Sequence, residues 1–224
     1  SDTVTGLGGH CVLLDGPICE LAFTEVARAS YNTLTGVFDL DSISARPIVF
    51  VDDFDSVKPW QTTSISSPGG ATHTDTLYST GGASGGYRRM EHTLPPQSSI
   101  VVFHQFDDSN YDPSIHGAIT SIDHREWRQV INPAFPGAAV GTTFAIEQNG
   151  QLYVSAGPTF ADTSWSEWSV SGLTAADFSP SPGPDFSATG APLSFGFTRS
   201  NTKNGTNHGS RIHGIDGGRV DVHR

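Results

Sequence analysis

The sequence has 224 residues, of which 36% are hydrophobic, and a chain of this size and composition can bury the core of one large domain. Its 25 glycines and 14 prolines follow no repeat period, which indicates many turns between short strands and excludes collagen and general disorder. The formal net charge of -11 repels phosphate backbones, so no nucleic acid partner is expected. No apolar run reaches the length of a membrane span, so membrane insertion is not expected either.

Two cysteines, Cys11 and Cys19, flank the turn-forming residues 15–17. A turn there can bring the cysteines within bridging distance, so we expect a local disulfide, with a pair of reduced thiols as the alternative. Disulfides persist in oxidising compartments. Because the chain is also rich in serine, threonine, glycine and asparagine and has one methionine, it is predicted to be secreted and extracellular.

Residues 1–45 are predicted to form an N-terminal extension that contains this disulfide and precedes a β-sandwich domain over residues 46–224. The extension opens with a polar arm, and residues 20–29 are compatible with a helix or a strand. Residues 37–43 alternate apolar and polar side chains as a half-buried strand does. Such an arm can pair with an exposed sheet edge of its own chain or of a neighbouring molecule.

From residue 46 onwards, short strand-like segments alternate with turn clusters, which is the pattern of an all-β, antiparallel two-sheet sandwich. Asn149-Gly150 is the strongest hairpin signal, and residues 107–113 are predicted to form a turn. Thr174 and Asp177 have the spacing of residues that cap one helical turn. The main predicted strands are residues 48–51, 74–79, 87–94, 100–103, 117–123, 143–148, 151–155, 165–170, 193–198 and 211–222.

The order of several short motifs carries a resemblance to a known class of domains. These motifs include Asp52-Asp53-Phe54, Gly85-Gly86-Tyr87-Arg88, Tyr111-Asp112-Pro113, Gln148-Asn149-Gly150-Gln151, Phe195-Gly196-Phe197 and Gly214-Ile215-Asp216. Over Ile48–Arg224 the chain resembles secreted bacterial domains of the concanavalin A-like lectin/glucanase, or laminin-G-like, class. The resemblance implies a jelly roll of two curved antiparallel sheets, often with a structural calcium. Domains of this class bind glycans, cleave them or assemble, so the class does not fix the function.

Two groups of oxygen-bearing side chains are candidate calcium sites. Asp108, Asn110 and Asp112 stand at alternate residues, the spacing with which a loop wraps a hard cation. The alternative is that these side chains only satisfy the backbone of a turn. The second group, which the resemblance alone implies, lies on first and last strands that come close together in this architecture. Its members are Asp52, Asp53 and Asp216.

The leading hypothesis for function is noncatalytic glycan binding, of the lectin or carbohydrate-binding-module type, through aromatic side chains on a sheet face or loop. The spacing of Trp165 and Trp168 places their indoles on opposite faces of a strand, which leaves one of them for a sugar ring; packing of both in the core, across an irregular segment, is the alternative. The candidate glycan-binding residues are Trp60, Tyr87, Arg88, Trp127 and Trp165.

Two other functions fit parts of the sequence. Arg89, His104 and Tyr153 follow one another in an order similar to that of alginate lyases, so a uronate lyase is one alternative. The tandem carboxylates with which sandwich glucanases hydrolyse glycans are absent, and catalysis is therefore not the expected function. The other alternative is an extracellular structural or filament-forming subunit whose residues 1–45 insert in the next copy.

Overall fold

The computed structural model describes the backbone of residues 46–54, 61–66, 70–132 and 139–224, and of five short strands before residue 42. Side chains are described from residue 46 onwards, except for residues 61, 63–66, 107 and 108 within these ranges. The chain divides into two compact units, Ser1–Pro47 and Ile48–Arg224. This division lies beside the predicted boundary at residue 45, and the independence of the two parts as domains stays a prediction.

The first unit contains a three-stranded and a two-stranded antiparallel sheet. The predicted strand at residues 37–43 is present as β5. In the register of β2 and β3, Cys11 is opposite Leu21 and Cys19 is opposite Leu13. The cysteine side chains lie outside the described part of the structure, so the disulfide stays a prediction. The strands are β1 (Thr5–Gly6), β2 (Gly9–Leu13), β3 (Cys19–Leu21), β4 (Arg28–Asn32) and β5 (Val37–Asp41).

The second unit is built almost entirely of strands. Burial alternates along them, most clearly in β11, as expected for strands with one face on a core. The helical elements described are α1 (Pro113–His116) and a 3-10 turn, Ala175–Asp177, which Thr174 and Asp177 cap as predicted. The strands are β6 (Ile48–Asp52), β7 (Gln61–Ser66), β8 (Thr72–Tyr78), β9 (Tyr87–Leu94), β10 (Ser98–Tyr111), β11 (Ser121–Val130), β12 (Val140–Gln148), β13 (Gln151–Ser155), β14 (Thr159–Phe160), β15 (Ser166–Leu173), β16 (Phe178–Ser179), β17 (Leu193–Lys203) and β18 (Gly209–His223).

These strands form two antiparallel sheets. The six-stranded sheet has the order β15-β11-β18-β9-β8, and β6 also pairs with β18. The seven-stranded sheet has the order β16-β13-β12-β17-β10-β7, and β14 also pairs with β12. Residues of both sheets meet in one shared hydrophobic core. The predicted all-β, antiparallel two-sheet sandwich is therefore confirmed. In the part of the chain that the structure describes, no helix is long and apolar enough to cross a membrane.

The larger part of the core is apolar. Phe144 and Phe195 of the seven-stranded sheet and Ile122, Ile215 and Val222 of the six-stranded sheet are all buried in it. Each of these side chains has an exposed fraction of 0%. Burying a side chain of this size stabilises the fold by roughly 1.5–3 kcal/mol, so the contact between the two sheets is the main source of stability.

A layer of buried polar side chains interrupts this core. Glu126 of β11 and Arg199 of β17 are both fully buried, and they form an ion pair between the two sheets with Nη2 to Oε1 at 2.8 Å. His92, His104 and His213 are also fully buried, and the rings of His92 and His213 are 4.8 Å apart. We call these five residues the polar layer. A buried charge is tolerated only when it is paired, which the contact of Glu126 with Arg199 provides.

The hairpin predicted at Asn149-Gly150 is present. The two residues connect β12 to β13, and both have positive φ, 54° and 73°, as a two-residue hairpin turn of this kind requires. The sequence therefore identifies both the position and the type of this turn.

The turn predicted at residues 107–113 is wrong, because β10 continues to Tyr111. The register of β10 against β17 shifts between Gln105 and Asn110, so a bulge accommodates the polar residues without ending the strand. Within this bulge the buried Ser109 hydroxyl donates to the carbonyl oxygen of Phe106 at 2.7 Å.

Candidate functional site

The face of the six-stranded sheet that points away from the core carries the candidate site. In β9, Met90 and His92 are buried in the interior. Because side chains alternate along a strand, Tyr87, Arg89 and Glu91 lie on the opposite face. We call this surface the outer face.

We call four aromatic side chains of the outer face the aromatic patch: Tyr78, Tyr87 and Trp165, whose rings are linked through Tyr87, and Trp127, which shares the face without a ring contact to the other three. Tyr78 is directly opposite Tyr87, and their rings stack with centroids 5.2 Å apart. Trp165 meets Tyr87 edge to face at 5.5 Å. Trp127 is opposite Asp216 of β18, the strand between β11 and β9. Tyr78 and Trp127 are 42% and 37% exposed, so a ligand can reach both ends of the patch.

Glycines of β18 make room for these rings. A Cβ atom at Gly214 would lie 2.8 Å from the ring of Trp165, which is closer than real Cβ contacts allow. Gly217 has φ 56°, in the left-handed region, and a Cβ there would lie 3.3 Å from the ring of Trp127. The indole N–H of Trp165 donates to the carbonyl of Gly81 at 2.9 Å. The sheet and this hydrogen bond therefore hold the patch in a defined arrangement.

Polar groups adjoin the aromatic patch on the outer face. Arg89 Nη2 is 2.9 Å from Glu91 Oε2. Glu91 also accepts a hydrogen bond from the Ser210 hydroxyl, which lowers the pKa of its carboxyl group. Burial and the neighbouring Tyr78 raise the pKa of Tyr87, whereas the positive charge of Arg89 opposes the rise. Hydrogen-bond donors and acceptors thus stand directly beside the aromatic rings.

The structure brings together three of the predicted glycan-binding residues, Tyr87, Trp127 and Trp165, but not Arg88. Since Arg88 is next to Tyr87 in a strand, its side chain points to the other face, where it is 12% exposed and 3.4 Å from Asp75. Burial lowers the pKa of Arg88, and Asp75 opposes this change. The arginine beside the patch is Arg89, which corrects the sequence-based prediction.

The remaining aromatic residues of the sequence-based prediction are two more tryptophans, Trp60 and Trp168. Trp60 lies outside the described residues. Trp165 and Trp168 lie on opposite faces, as predicted, because Trp168 packs against the core with its ring 5.4 Å from that of His124. Tyr78 is a member of the patch that the sequence analysis misses. Pairing the predicted strands 74–79 and 87–94 as a hairpin would have identified it, since Tyr78 and Tyr87 stand at their facing ends.

The three residues of the lyase hypothesis do not meet on one surface. Arg89 is on the outer face of the six-stranded sheet, whereas His104 is fully buried on the seven-stranded sheet, with its ring 4.9 Å from that of Phe197. Tyr153 packs against the hydrophobic core. A residue that transfers a proton must contact its substrate, so this predicted group does not form an active site.

The residues of the first candidate calcium site are engaged in other contacts. The Asp112 carboxylate accepts from the backbone N–H of Ser114 at 2.9 Å and from its hydroxyl at 2.7 Å, which lowers the pKa of Asp112 and caps α1. Asn110 accepts from the Ser194 hydroxyl at 3.2 Å. The Asp108 side chain lies outside the described residues. Asp112 therefore satisfies a local backbone group, as the alternative to calcium binding has it, whereas Asn110 accepts from a side chain of β17, and calcium at this position stays a prediction.

The second candidate calcium site contains two buried carboxylates. Asp52 and Asp216 have exposed fractions of 3% and 0%, whereas Asp53 is exposed. The Asp52 carboxylate accepts from the backbone N–H of Phe54 at 2.9 Å. No group of three or more histidine, cysteine, aspartate or glutamate side chains that could hold a metal ion occurs among the described residues. An ion here would therefore need backbone oxygens as additional ligands.

One backbone oxygen, that of Gly86, lies in the surroundings of Asp216. Its Oδ2 accepts from the backbone N–H of Ser84 at 2.9 Å, and its Oδ1 is buried without a hydrogen-bond partner in the described part of the chain. A Cβ at Gly82 would lie 2.7 Å from Oδ2 of Asp216 and 2.2 Å from the carbonyl oxygen of Gly86. Carboxylate and carbonyl oxygens are the ligands that calcium prefers, so the surroundings of Asp216 fit this ion.

No protein-family model matches the sequence, and a comparison with curated proteins finds no match. Solved structures of carbohydrate-binding modules are similar to the chain at low sequence identity. The family 11 module from Clostridium thermocellum, in complex with a β-1,3-1,4-mixed-linked tetrasaccharide, is 15% identical with a TM-score of 0.46. That similarity covers 78% of this chain and 94% of the module.

A second similar structure is the CBM22-1 xylan-binding domain of Xyn10C from Paenibacillus barcinonensis. It is 9% identical with a TM-score of 0.45, and the similarity covers 80% of this chain and 97% of that domain. Similarities this distant assign neither a family nor a function. The function is therefore inferred from the contacts and exposure of the chain's own residues.

Proposed function

We propose that the protein is a noncatalytic glycan-binding β-sandwich whose ligand binds on the aromatic patch. The observation that carries this proposal is that four aromatic rings lie on one sheet face, three of them in contact through Tyr87, and that Tyr78 and Trp127 are exposed. Contiguous exposed apolar surface with a polar rim is typical of binding sites on soluble proteins.

The chemistry of the patch suits a sugar. A sugar ring offers apolar C–H groups that pack against an aromatic ring, and hydroxyl groups that need both donors and acceptors. The patch supplies the rings, and the ion pair of Arg89 and Glu91 supplies donors and acceptors beside them. Binding is favoured over catalysis because the residues of the lyase alternative do not meet on one surface.

Binding to a panel of immobilised neutral, uronic-acid and sulfated polysaccharides tests this proposal. We expect the full chain to be retained on at least one member of the panel. A chain that melts cooperatively and yet binds none of these polymers would contradict glycan binding.

We also propose that a structural calcium binds beside Asp216, supported by the buried carboxylate oxygen that lacks a hydrogen-bond partner among the described residues. The ion would supply positive charge to this carboxylate, and Asp216 with nearby backbone carbonyls would hold it. An extracellular setting remains part of the proposal because the composition favours it. Self-assembly through residues 1–45 stays a prediction.

A further inference from the structure

We infer that the outer face carries a second binding subsite, the charged groove, which takes an uncharged, hydroxyl-rich sugar unit. This inference rests on the proposed glycan-binding function, and it adds a site and a chemical class of ligand. The groove is a surface cavity of about 380 Å³. The side chains that define it are Asp123, Arg125, Ser169, Ser171, Arg219 and Asp221.

The charged groove continues the surface of the aromatic patch. Ser169, Arg125 and Arg219 are directly opposite one another on β15, β11 and β18, so they form one row across the sheet. Arg125 stands two residues before Trp127 on β11, and two residues of a strand span roughly 7 Å. A glycan chain that stacks on Trp127 can therefore extend into the groove.

Arg219 is already paired with a carboxylate group of the protein, that of Asp221. Its Nε lies 2.9 and 2.8 Å from the two oxygens of Asp221, and its Nη2 lies 2.7 Å from one of them. One of the two guanidinium edges that can bind an anion through two parallel hydrogen bonds, the Nε/Nη2 edge, is thus occupied by Asp221. Asp221 also raises the pKa of Arg219, so the pair stays charged. What Arg219 offers to a ligand is the set of N–H groups that Asp221 leaves, two on Nη1 and one on Nη2, and the charge of the pair is balanced.

The other charged groups of the groove are held in place and can still form further hydrogen bonds. Asp123 accepts from the backbone N–H of Gly172 at 2.7 Å, and its second oxygen is 3.0 Å from His223 Nε2. A carboxylate oxygen has a second lone pair, so Asp123 can accept from a ligand hydroxyl as well. Arg125 is 53% exposed, and its Nη1 is 3.9 Å from Glu167, which is too long for a hydrogen bond. Arg125 is therefore a donor available to a ligand.

The charge balance of the groove selects against acidic ligands. The charges of Arg125 and Arg219 are cancelled by those of Asp123 and Asp221, while the whole chain carries a net charge of -11 that repels polyanions. A groove that presents donors, acceptors and two serine hydroxyls matches a ligand group that both donates and accepts. Sugar hydroxyls do both, whereas carboxylate and sulfate groups only accept.

Variants of the groove test this inference on the polysaccharide that the intact chain binds best. Arg219→Leu removes a donor, and Ser169→Phe fills the groove from an exposed position without replacing a charged residue. Thr72→Phe is the matched control, since Thr72 is exposed on β8, at the far edge of the same sheet. We expect dissociation constants about 10- to 100-fold higher for both groove variants, as for lost hydrogen bonds to charged groups, and an unchanged constant for the control.

The outcomes separate this inference from the function on which it rests. Groove variants that melt like the intact chain and bind the glycan with unchanged affinity would contradict the second subsite in the charged groove. Such a result would not contradict glycan binding on the aromatic patch. Tighter binding of uronic-acid or sulfated polymers than of neutral ones would overturn the assigned ligand class. Failure of the intact chain to bind any glycan would instead contradict the proposed function itself.

Discussion

The ion pair of Glu126 and Arg199 is the most consequential single contact in the polar layer. Both residues are fully buried, and the same Glu126 oxygen also accepts from the Thr142 hydroxyl at 3.2 Å. Burial alone raises the pKa of Glu126, but the charge of Arg199 and the contact with His124 outweigh burial and lower this pKa to about 2. Glu126 is therefore ionised in the folded protein, and its negative charge is the counter-ion of the buried Arg199 guanidinium.

We predict that Glu126→Gln lowers the free energy of unfolding by roughly 3–5 kcal/mol, because it leaves the Arg199 charge buried without its counter-ion. Glu167→Gln is the control, since Glu167 makes only a 3.9 Å contact with Arg125 on the surface and should cost less than about 1 kcal/mol. Urea unfolding followed by tryptophan fluorescence measures both. A Glu126 variant as stable as the control would show that this ion pair does not hold the two sheets together.

At the scale of elements, the sequence predicts where strands lie better than which face each residue occupies. β9 begins and ends at its predicted bounds, and the hairpin at Asn149-Gly150 follows from the backbone that these two residues favour. Along β9, however, polar residues occupy both faces, so the alternation cannot show that Arg88 is inside and Arg89 outside. A shift of one residue in the register of a strand moves every side chain to the opposite face of the sheet.

The polar layer and the bulge in β10 could not be predicted for a related reason. Buried histidines such as His92 and His213 look in sequence like solvent-facing residues, because only packing against the other sheet buries them. The polar residues 107–112 look like a turn, and only pairing with β17 reveals that the strand continues. Three members of the aromatic patch could be predicted because tryptophan and tyrosine are the residue types that stack on sugars. The position of Tyr78 beside Tyr87 could not, since it depends on the register of β8 and β9.

The connection between β8 and β9 determines whether the calcium proposal holds. Its backbone approaches Asp216 closely, and Ser84 donates to that carboxylate. We predict that calcium at a hundredfold its dissociation constant stabilises the chain by about 2.7 kcal/mol, so a chelator should lower the melting temperature by roughly 5–10 °C. Calorimetry with and without chelator measures this shift.

Two variants locate the ion. Asp216→Asn should abolish the response to chelator, whereas Asp112→Asn should preserve it, because Asp112 caps α1. A melting temperature that the chelator leaves unchanged in the intact chain would rule out a structural calcium at either candidate site. A response lost only in Asp112→Asn would place the ion at the junction of β10 and α1 instead.

At the scale of the whole molecule, the sandwich buries histidines that are neutral when it is folded. Burial is the main cause that lowers the pKa of His92 to about 4 and the pKa values of His104 and His213 well below their usual range. In the unfolded chain these groups take up protons near pH 6.5. The unfolded state therefore binds more protons than the folded state as the pH falls below 6.5, and stability is lost on that side.

We predict that the free energy of unfolding is nearly constant above pH 7 and falls between pH 6.5 and about 4, by roughly 1.4 kcal/mol per pH unit for each buried histidine. Urea unfolding at a series of pH values measures the slope. His213→Asn should reduce the slope by about 1.4 kcal/mol per pH unit, whereas Thr72→Asn, at an exposed position that carries no titrating group, should leave it unchanged. Equal stability at pH 8 and pH 5 would contradict a core of neutral histidines.

The most direct test of the whole account is to remove the accessible ends of the aromatic patch and measure glycan affinity. The double variant Tyr78→Ala/Trp127→Ala should raise the dissociation constant for the best polysaccharide by roughly 30-fold or more, as expected for aromatic residues at the centre of a binding site. The control is Ile115→Ala, which removes a side chain that is 74% exposed on α1, outside the six-stranded sheet. Weakened binding in the first variant alone is the predicted result. Equal affinity in both variants and the intact chain would contradict glycan binding on this face.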